Sequence, residues 1–93
     1  MWATNLSGAN LIKANLRRVT AVGANLRGAN LSYADFSGAT LEEVDFSTTK
    51  LRRAKLRRVR KVERCIWRGV EIDETTELSP DLRNEIEDQL SQG

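Results

Sequence analysis

Ten of the nineteen residues from Lys50 to Arg68 are Lys or Arg: Lys50, Arg52, Arg53, Lys55, Arg57, Arg58, Arg60, Lys61, Arg64 and Arg68. Cations at this density suit an anionic partner, whether nucleic-acid phosphates, an anionic lipid surface or an acidic protein. Arg52, Arg53, Lys55, Arg57, Arg58, Arg60 and Arg64 are the candidate contact residues. The competing reading is a solvated basic face, partly neutralised by Glu85, Glu87 and Asp88 of a folded-back C-terminal segment. Charge is unevenly shared along the chain. Through Val70 there are 14 Lys and Arg against 5 Asp and Glu, a net of +9. From Glu71 onward one Arg faces 8 acids, a net of −7.

Other chemistry finds little support. The chain has no His, so the commonest general base, triad member and imidazole metal ligand are absent. Asn and Asp recur as Asn5, Asn10, Asn15, Asn25, Asn30, Asp35 and Asp45. They are expected to serve structure, with stacked side chains hydrogen-bonding from layer to layer. Asp73, Glu74 and Glu77 lack the spacing and glycine of an EF-hand loop. No P-loop or dinucleotide fingerprint occurs. The one cysteine, Cys65, forms no internal disulfide and reads as a small buried hydrophobe. The expectation is a protein that is not an enzyme, with no catalytic residues, no cofactor and no metal.

The elements that carry these residues follow from a five-residue period. Large apolar residues stand at Leu6, Leu11, Leu16, Leu26, Leu31, Phe36, Leu41, Phe46, Leu51 and Leu56, interrupted only by Ala21. Two residues before each is a smaller one, commonly Ala, and between the two sits a polar residue, often the Asn or Asp. On a helix, steps of five would spiral around the cylinder. On a straight strand an odd period would throw successive leucines to opposite faces. All can point inward only if the chain turns a corner after every unit. Pairs such as Ser7-Gly8, Arg27-Gly28 and Ser37-Gly38 suit those corners.

Units such as Ala9-Asn10-Leu11 and Ala29-Asn30-Leu31 resemble the A-(D/N)-L-X-X motif of the pentapeptide-repeat family. The resemblance implies an all-β solenoid: a right-handed quadrilateral β-helix with four units to a coil. Residues twenty apart then stack, at the strand spacing of roughly 4.8 Å. Some members of the family inhibit or protect DNA gyrase as long, negatively charged mimics of DNA. This chain departs from them in both sign and length, which speaks against that role.

In the original phase the units after Leu56 would centre on Lys61, Ile66 and Glu71. Shifted by one residue, the centres become Val62, Trp67 and Ile72, with Cys65 and Val70 at the small positions. A one-residue bulge near residues 57–62 is therefore expected. The solenoid is expected over residues 1–72, in about three and a half coils, with an acidic linker and capping helix over 73–93. Ser79 reads as N-cap and Pro80 as the first helical residue of a helix over about 80–90. Leu82 and Ile86 give that helix an apolar stripe to lay on the last coil.

At the other end Met1 falls in the central phase and no capping element is legible. Either Trp2 folds over the open coil or that edge stacks on something else: a second copy as an end-to-end homodimer, an upstream domain or an α-helical partner. The pattern also predicts that no aromatic accompanies the arginine corners, which weighs against a platform for single-stranded bases. Two functions stay open: a protein-interaction module and a nucleic-acid or anionic-surface binder. No stretch approaches a membrane span of about 18 apolar residues and no signal peptide is legible, so a cytoplasmic protein is expected.

Overall fold

Inward leucines at a spacing of five demand a left-turning residue at regular intervals, and the backbone supplies one in every unit through Leu51, with a gap only at the unit after Leu56. The computed structural model describes residues 2–92. Positive φ recurs at Ala3, Gly8, Lys13, Arg18, Gly23, Gly28, Tyr33, Gly38, Glu43, Thr48 and Arg53, then at Arg64 and Gly69. On three of the four sides the amide after this residue bonds back across the turn, as Ala9 N–H does to Leu6 C=O at 3.0 Å, while Gly23, Glu43 and Arg64 on the fourth side turn as open bends. This is the type II turn, whose third position takes φ near +80°. Eight of these corner residues are not glycine, and the coil stacking must outweigh a cost of roughly 1–2 kcal/mol at each.

Stacking is parallel and twenty residues apart. Asn5 bridges Asn25, Asn10 bridges Asn30 and Asn15 bridges Asp35. On the fourth side β1 (Thr20–Val22) pairs with β2 (Thr40–Glu42), Thr20 opposite Thr40. Four sides per turn make a quadrilateral coil. Leu26, Leu31, Phe36, Leu41, Phe46, Leu51 and Leu56 are fully buried, with Ala24, Ala29, Ala34, Ala39 and Ala54 beside them. Ala21 sits beneath Leu41, which fills the interior there. Phe46 stacks flat on Trp67 at 4.4 Å and meets Phe36 edge-on at 6.1 Å.

The Asn and Asp column differs from the expected interlayer ladder. Each side-chain oxygen accepts from the backbone amide two residues on: Asn5 from Ser7, Asn15 from Arg17, Asn25 from Arg27 and Asp35 from Ser37. These are Asx turns that brace the corner. Only an acceptor oxygen is used, so Asp serves as well as Asn. The layers are joined by backbone hydrogen bonds instead.

The extra residue lies at the fourth corner of the upper coils. β2 pairs with β4 (Lys61–Glu63) at an offset of 21, Thr40 opposite Lys61. The Ala39 carbonyl accepts from both Arg60 at 2.8 Å and Lys61 at 3.3 Å, so it bridges the two registers. A second insertion follows, which changes the domain boundary. β3 (Lys55–Leu56) pairs with β5 (Glu77–Leu78) at an offset of 22, Leu56 opposite Leu78. Residues 73–78 therefore belong to the solenoid rather than to a linker, and the solenoid extends past Ile72 to Leu78. The added residue is absorbed by a turn in which Asp73 accepts from the Thr75 amide and Thr76 Oγ1 donates to Leu51 C=O.

The helix α1 (Pro80–Ser91) crosses the last coil, with the Ser79 hydroxyl accepting from Leu82 N–H and with Leu82 and Ile86 buried. Gln89 does what a further coil would do. Its side-chain oxygen accepts from Trp67 N–H at 2.7 Å and its amide nitrogen donates to Cys65 C=O at 3.2 Å. Trp67 Nε1 donates to Glu85.

At the opposite end Leu6, Leu11 and Leu16 are only half-buried. Trp2 does not cover them: it bridges Val22 along the outer edge and is 71% exposed. The central position expected for Met1 lies outside the described residues.

Two stability predictions follow from the corners and the cap. Gly69 has φ +66° and an added Cβ would meet Thr48 Cγ2 at 3.2 Å, whereas nothing lies within 4 Å of one at Gly8, φ +69°. Gly69→Ala is expected to lower stability by about 1–2 kcal/mol, and Gly8→Ala by less, in urea unfolding. Gln89→Leu strands an amide and a carbonyl beneath the helix and is expected to cost roughly 2 kcal/mol. Equal midpoints for Gln89→Leu and wild type would refute the capping role.

Candidate functional site

Because the coils are square, the basic run is distributed by corner rather than by sequence distance. Arg52 and Arg53 lie over Ser32-Tyr33, with Tyr33 N–H donating to Arg52 C=O, and those lie over Ile12-Lys13. Lys55 occupies the adjoining face in the column Asn15, Asp35, Lys55, Glu77. Arg57 and Arg58 form the next corner, above Ser37-Gly38 and then Arg17-Arg18, with the register already advanced by one residue, since Gly38 N–H donates to Arg58 C=O. Arg60 follows where the two registers meet at the Ala39 carbonyl, and Arg64 stands on a further corner beside Glu43. One face is thereby framed by Lys13 and Arg53 on one edge and by Arg17, Arg18, Arg57 and Arg58 on the other, with Lys55 on the face itself.

Ion pairing divides the run. Arg52 pairs with Asp73 at 3.2 Å, Lys61 with Glu42 at 2.6 Å and Arg64 with Glu43 at 3.6 Å. The Lys61 contact holds the Glu42 carboxyl below its ordinary range and raises the Lys61 ammonium. Among the described residues Arg53, Lys55, Arg57, Arg58 and Arg60 form no ion pair. The expected neutralisation by the cap does not occur there: Glu85 is engaged by Trp67, and Glu87 and Asp88 make no ion pair with the run. The helix lies across the end of the coil while the framed face runs along its side.

An aromatic accompanies the patch after all. The Tyr33 ring lies between the Arg53 guanidinium at 5.7 Å and the Lys13 ammonium at 6.0 Å, and is 48% exposed. Reading the pattern at a period of twenty aligns residues 13, 33 and 53 and would have found it. Next to it an open depression is lined by Arg17, Lys55, Arg57 and Arg58, with Asp35 and Glu77 as its acids. Asp35 is held below the usual carboxylate range by the Ser37 hydroxyl first, then the Ser37 amide, with smaller help from Arg17 and Lys55.

Among the described residues no three His, Cys, Asp or Glu side chains converge as metal ligands. Cys65 is buried, and desolvation pushes its thiol up to about 11, so it is a poor nucleophile at neutral pH. Among the described residues no helix is long and apolar enough to cross a membrane.

A coil of four five-residue sides stacked in parallel on the next, with Asx oxygens bracing many of its corners, defines a β-solenoid. The family model for pentapeptide repeats matches residues 3–31 and 22–58 in 8 copies, and the chain belongs to that family. No curated protein matches it closely enough in sequence to count as a relative. Among solved structures it is similar to HetL, a pentapeptide-repeat protein involved in heterocyst differentiation regulation in Nostoc sp. strain PCC 7120. That match has 27% identity and a TM-score of 0.40, over 75% of this chain and 37% of HetL. A second pentapeptide-repeat protein of Nostoc PCC 7120 shares 29% identity at a TM-score of 0.47, over 83% of this chain and 75% of the other. Rfr23 of Cyanothece 51142 shares 26% identity at 0.39, over 85% of this chain and 63% of Rfr23. The chain thus spans little more than a third of HetL.

The Asx carboxylates set an acid limit. The folded-state pKa of Asp35 is depressed, as is that of Asp73, where the Thr75 hydroxyl and amide are the main cause. Their contribution is present above the ordinary Asp pKa of about 3.9 and is lost as pH falls through the lower folded values. Stability is expected to fall below about pH 4, and Asp35→Asn, which keeps the acceptor oxygen, to make that fall shallower in acid titration followed by circular dichroism.

Proposed function

We propose that this chain is a non-catalytic interaction module that docks an acidic protein through the face framed by Arg53, Lys55, Arg57 and Arg58. The observation that carries the reading is the set of cations that form no ion pair among the described residues on one side of the solenoid, while Arg52, Lys61 and Arg64 are paired elsewhere. A solenoid presents such groups at fixed spacing with little side-chain cooperation needed from loops, which lowers the ordering cost of binding. The winding is taken as right-handed, the hand of nearly all parallel β crossovers. The setting is taken as the reducing cytoplasm, where Cys65 remains a thiol.

A second reading, nucleic acid or an anionic lipid surface, is favoured by one feature: Tyr33, half-exposed between two cations, offers a ring on which a base could stack. Pull-down followed by calorimetry separates the two. The first reading expects one protein partner, with the Arg53→Glu/Arg57→Glu/Arg58→Glu variant losing at least tenfold in affinity. The second expects binding to single-stranded DNA that falls steeply with salt and is weakened by Tyr33→Ala. Full affinity for the protein partner in the triple variant would refute the first reading, and DNA binding unmoved by salt or by Tyr33→Ala would refute the second.

A further inference from the structure

The first coil leaves half of its hydrogen bonds facing outward. In the second coil Asn25, Asn30 and Asp35 each direct both backbone groups at the coil beneath. Their N–H groups donate to the carbonyls of Thr4, Ala9 and Ala14, and their C=O groups accept from Leu6, Leu11 and Leu16. The stacked equivalents Asn5, Asn10 and Asn15 turn the same two groups to the open end, where nothing among the described residues meets them. Inside this edge Leu6, Leu11 and Leu16 are half-buried, and beside it Trp2 is exposed. A residue offering N–H and C=O on one side is the unit of a doubly hydrogen-bonded pair in an antiparallel ladder.

We propose that a second copy of the chain closes this end, head to head about a two-fold axis at Asn10. A two-fold axis perpendicular to the solenoid makes the two edges run antiparallel. Outward Asn must then oppose outward Asn, so the numbers of facing residues sum to a multiple of five. A sum of 25 brings the segment from Thr20 to Gly23 to the interface, yet its own Trp2 and Ala3 already cover that segment, with Ala3 N–H on Val22 C=O at 2.8 Å. A sum of 15 leaves Asn15 and the Arg17-Arg18 corner unpaired. A sum of 20 pairs the whole edge from residue 2 to residue 18, with Asn10 opposite Asn10 and Asn5 opposite Asn15.

Side chains fit this register independently of the backbone. Leu6 faces Ala14, Leu11 faces Ala9 and Leu16 faces Thr4, a large residue against a small one each time. The cationic corners do not meet. Lys13 comes over Ser7, and Arg17-Arg18 over Ala3 and Trp2, where the exposed indole gains a guanidinium. No acid is present before Asp35, so a register opposing like corners would repel. With lateral extents of 23 and 22 Å, each end covers roughly 500 Å², and two bury about 1,000 Å², the floor for specific association. A concentration-dependent dimer follows.

The test uses the 93-residue chain with Cys65 in place, since its burial keeps it out of the reaction. Light scattering is expected to show the mass doubling as concentration rises. Asn10→Cys is expected to form a disulfide dimer under mild oxidation, because the pair separation of about 5.5 Å lies within disulfide reach. Asn5→Cys is expected to cross-link to Asn15→Cys but not to itself. Asn10→Pro removes an outward N–H together with the side-chain oxygen that accepts from Ile12 N–H, so Asn10→Ala, which loses only the side-chain oxygen, is its control. Asn10→Pro is expected to be monomeric and Asn10→Ala to dimerise. A monomer at every concentration overturns the proposal. So does a dimer in which Asn5→Cys self-links while Asn10→Cys does not, and so does capping by a different protein with no self-association. Should Asn10→Pro fail to fold, the cysteine pairs still decide.

Discussion

In this protein nearly every interlayer hydrogen bond runs along one axis, from the backbone of one coil to the backbone of the next. That single direction dictates what else the chain must do. A unit's central amide can reach the coil above only if the corner has already rotated the chain by a quarter turn. The corner in turn needs a residue in the left-handed region. The Asx oxygen at the unit's polar position holds that corner by taking the amide two residues on, as Asn25 does from Arg27 and Asp45 from Ser47. Interior packing comes last in this chain of causes: leucines stack because the corners aim them inward.

An axial ladder has two ends, and the chain treats them differently. At the C-terminal end the Gln89 side chain substitutes for one peptide of a missing coil while Leu82 and Ile86 seal the apolar interior. The N-terminal end keeps its donors, acceptors and half-buried leucines. Insertions are handled the same way at Arg60 and again between Glu71 and Glu77: the extra residue goes into a corner, the sides stay aligned, and the neighbouring carbonyl or a threonine hydroxyl takes up the displaced bond.

Much of this was legible in the sequence because a five-residue period has so few physical solutions. The buried column from Leu26 to Leu56, the first insertion and the helix begun at Ser79-Pro80 all follow from phase and cap chemistry. The basic run was visible as composition, but its division was not. Arg52, Lys61 and Arg64 find acids that lie close in space on the neighbouring coil or at the same corner, while Arg53, Arg57 and Arg58 do not. Tyr33 was missed because its relation to Arg53 is vertical, at a distance of twenty residues in sequence. The second insertion was hidden by the polar run Asp73 to Glu77, which has the composition of a linker although it carries a strand.

The sequence by itself determined the unit, the coil and the inward ladder, since each depends on local spacing and on what a corner residue can tolerate. Tertiary structure alone decided where the solenoid ends, which cations stay unpaired, that the Asn and Asp side chains brace corners rather than join layers, and that Trp2 leaves the first coil open. The reason is physical. Spacing fixes which way a side chain faces, but which groups meet depends on offsets of 20, 21 and 22 residues between stacked coils, and these are settled only when the insertions have been absorbed and the layers are in contact.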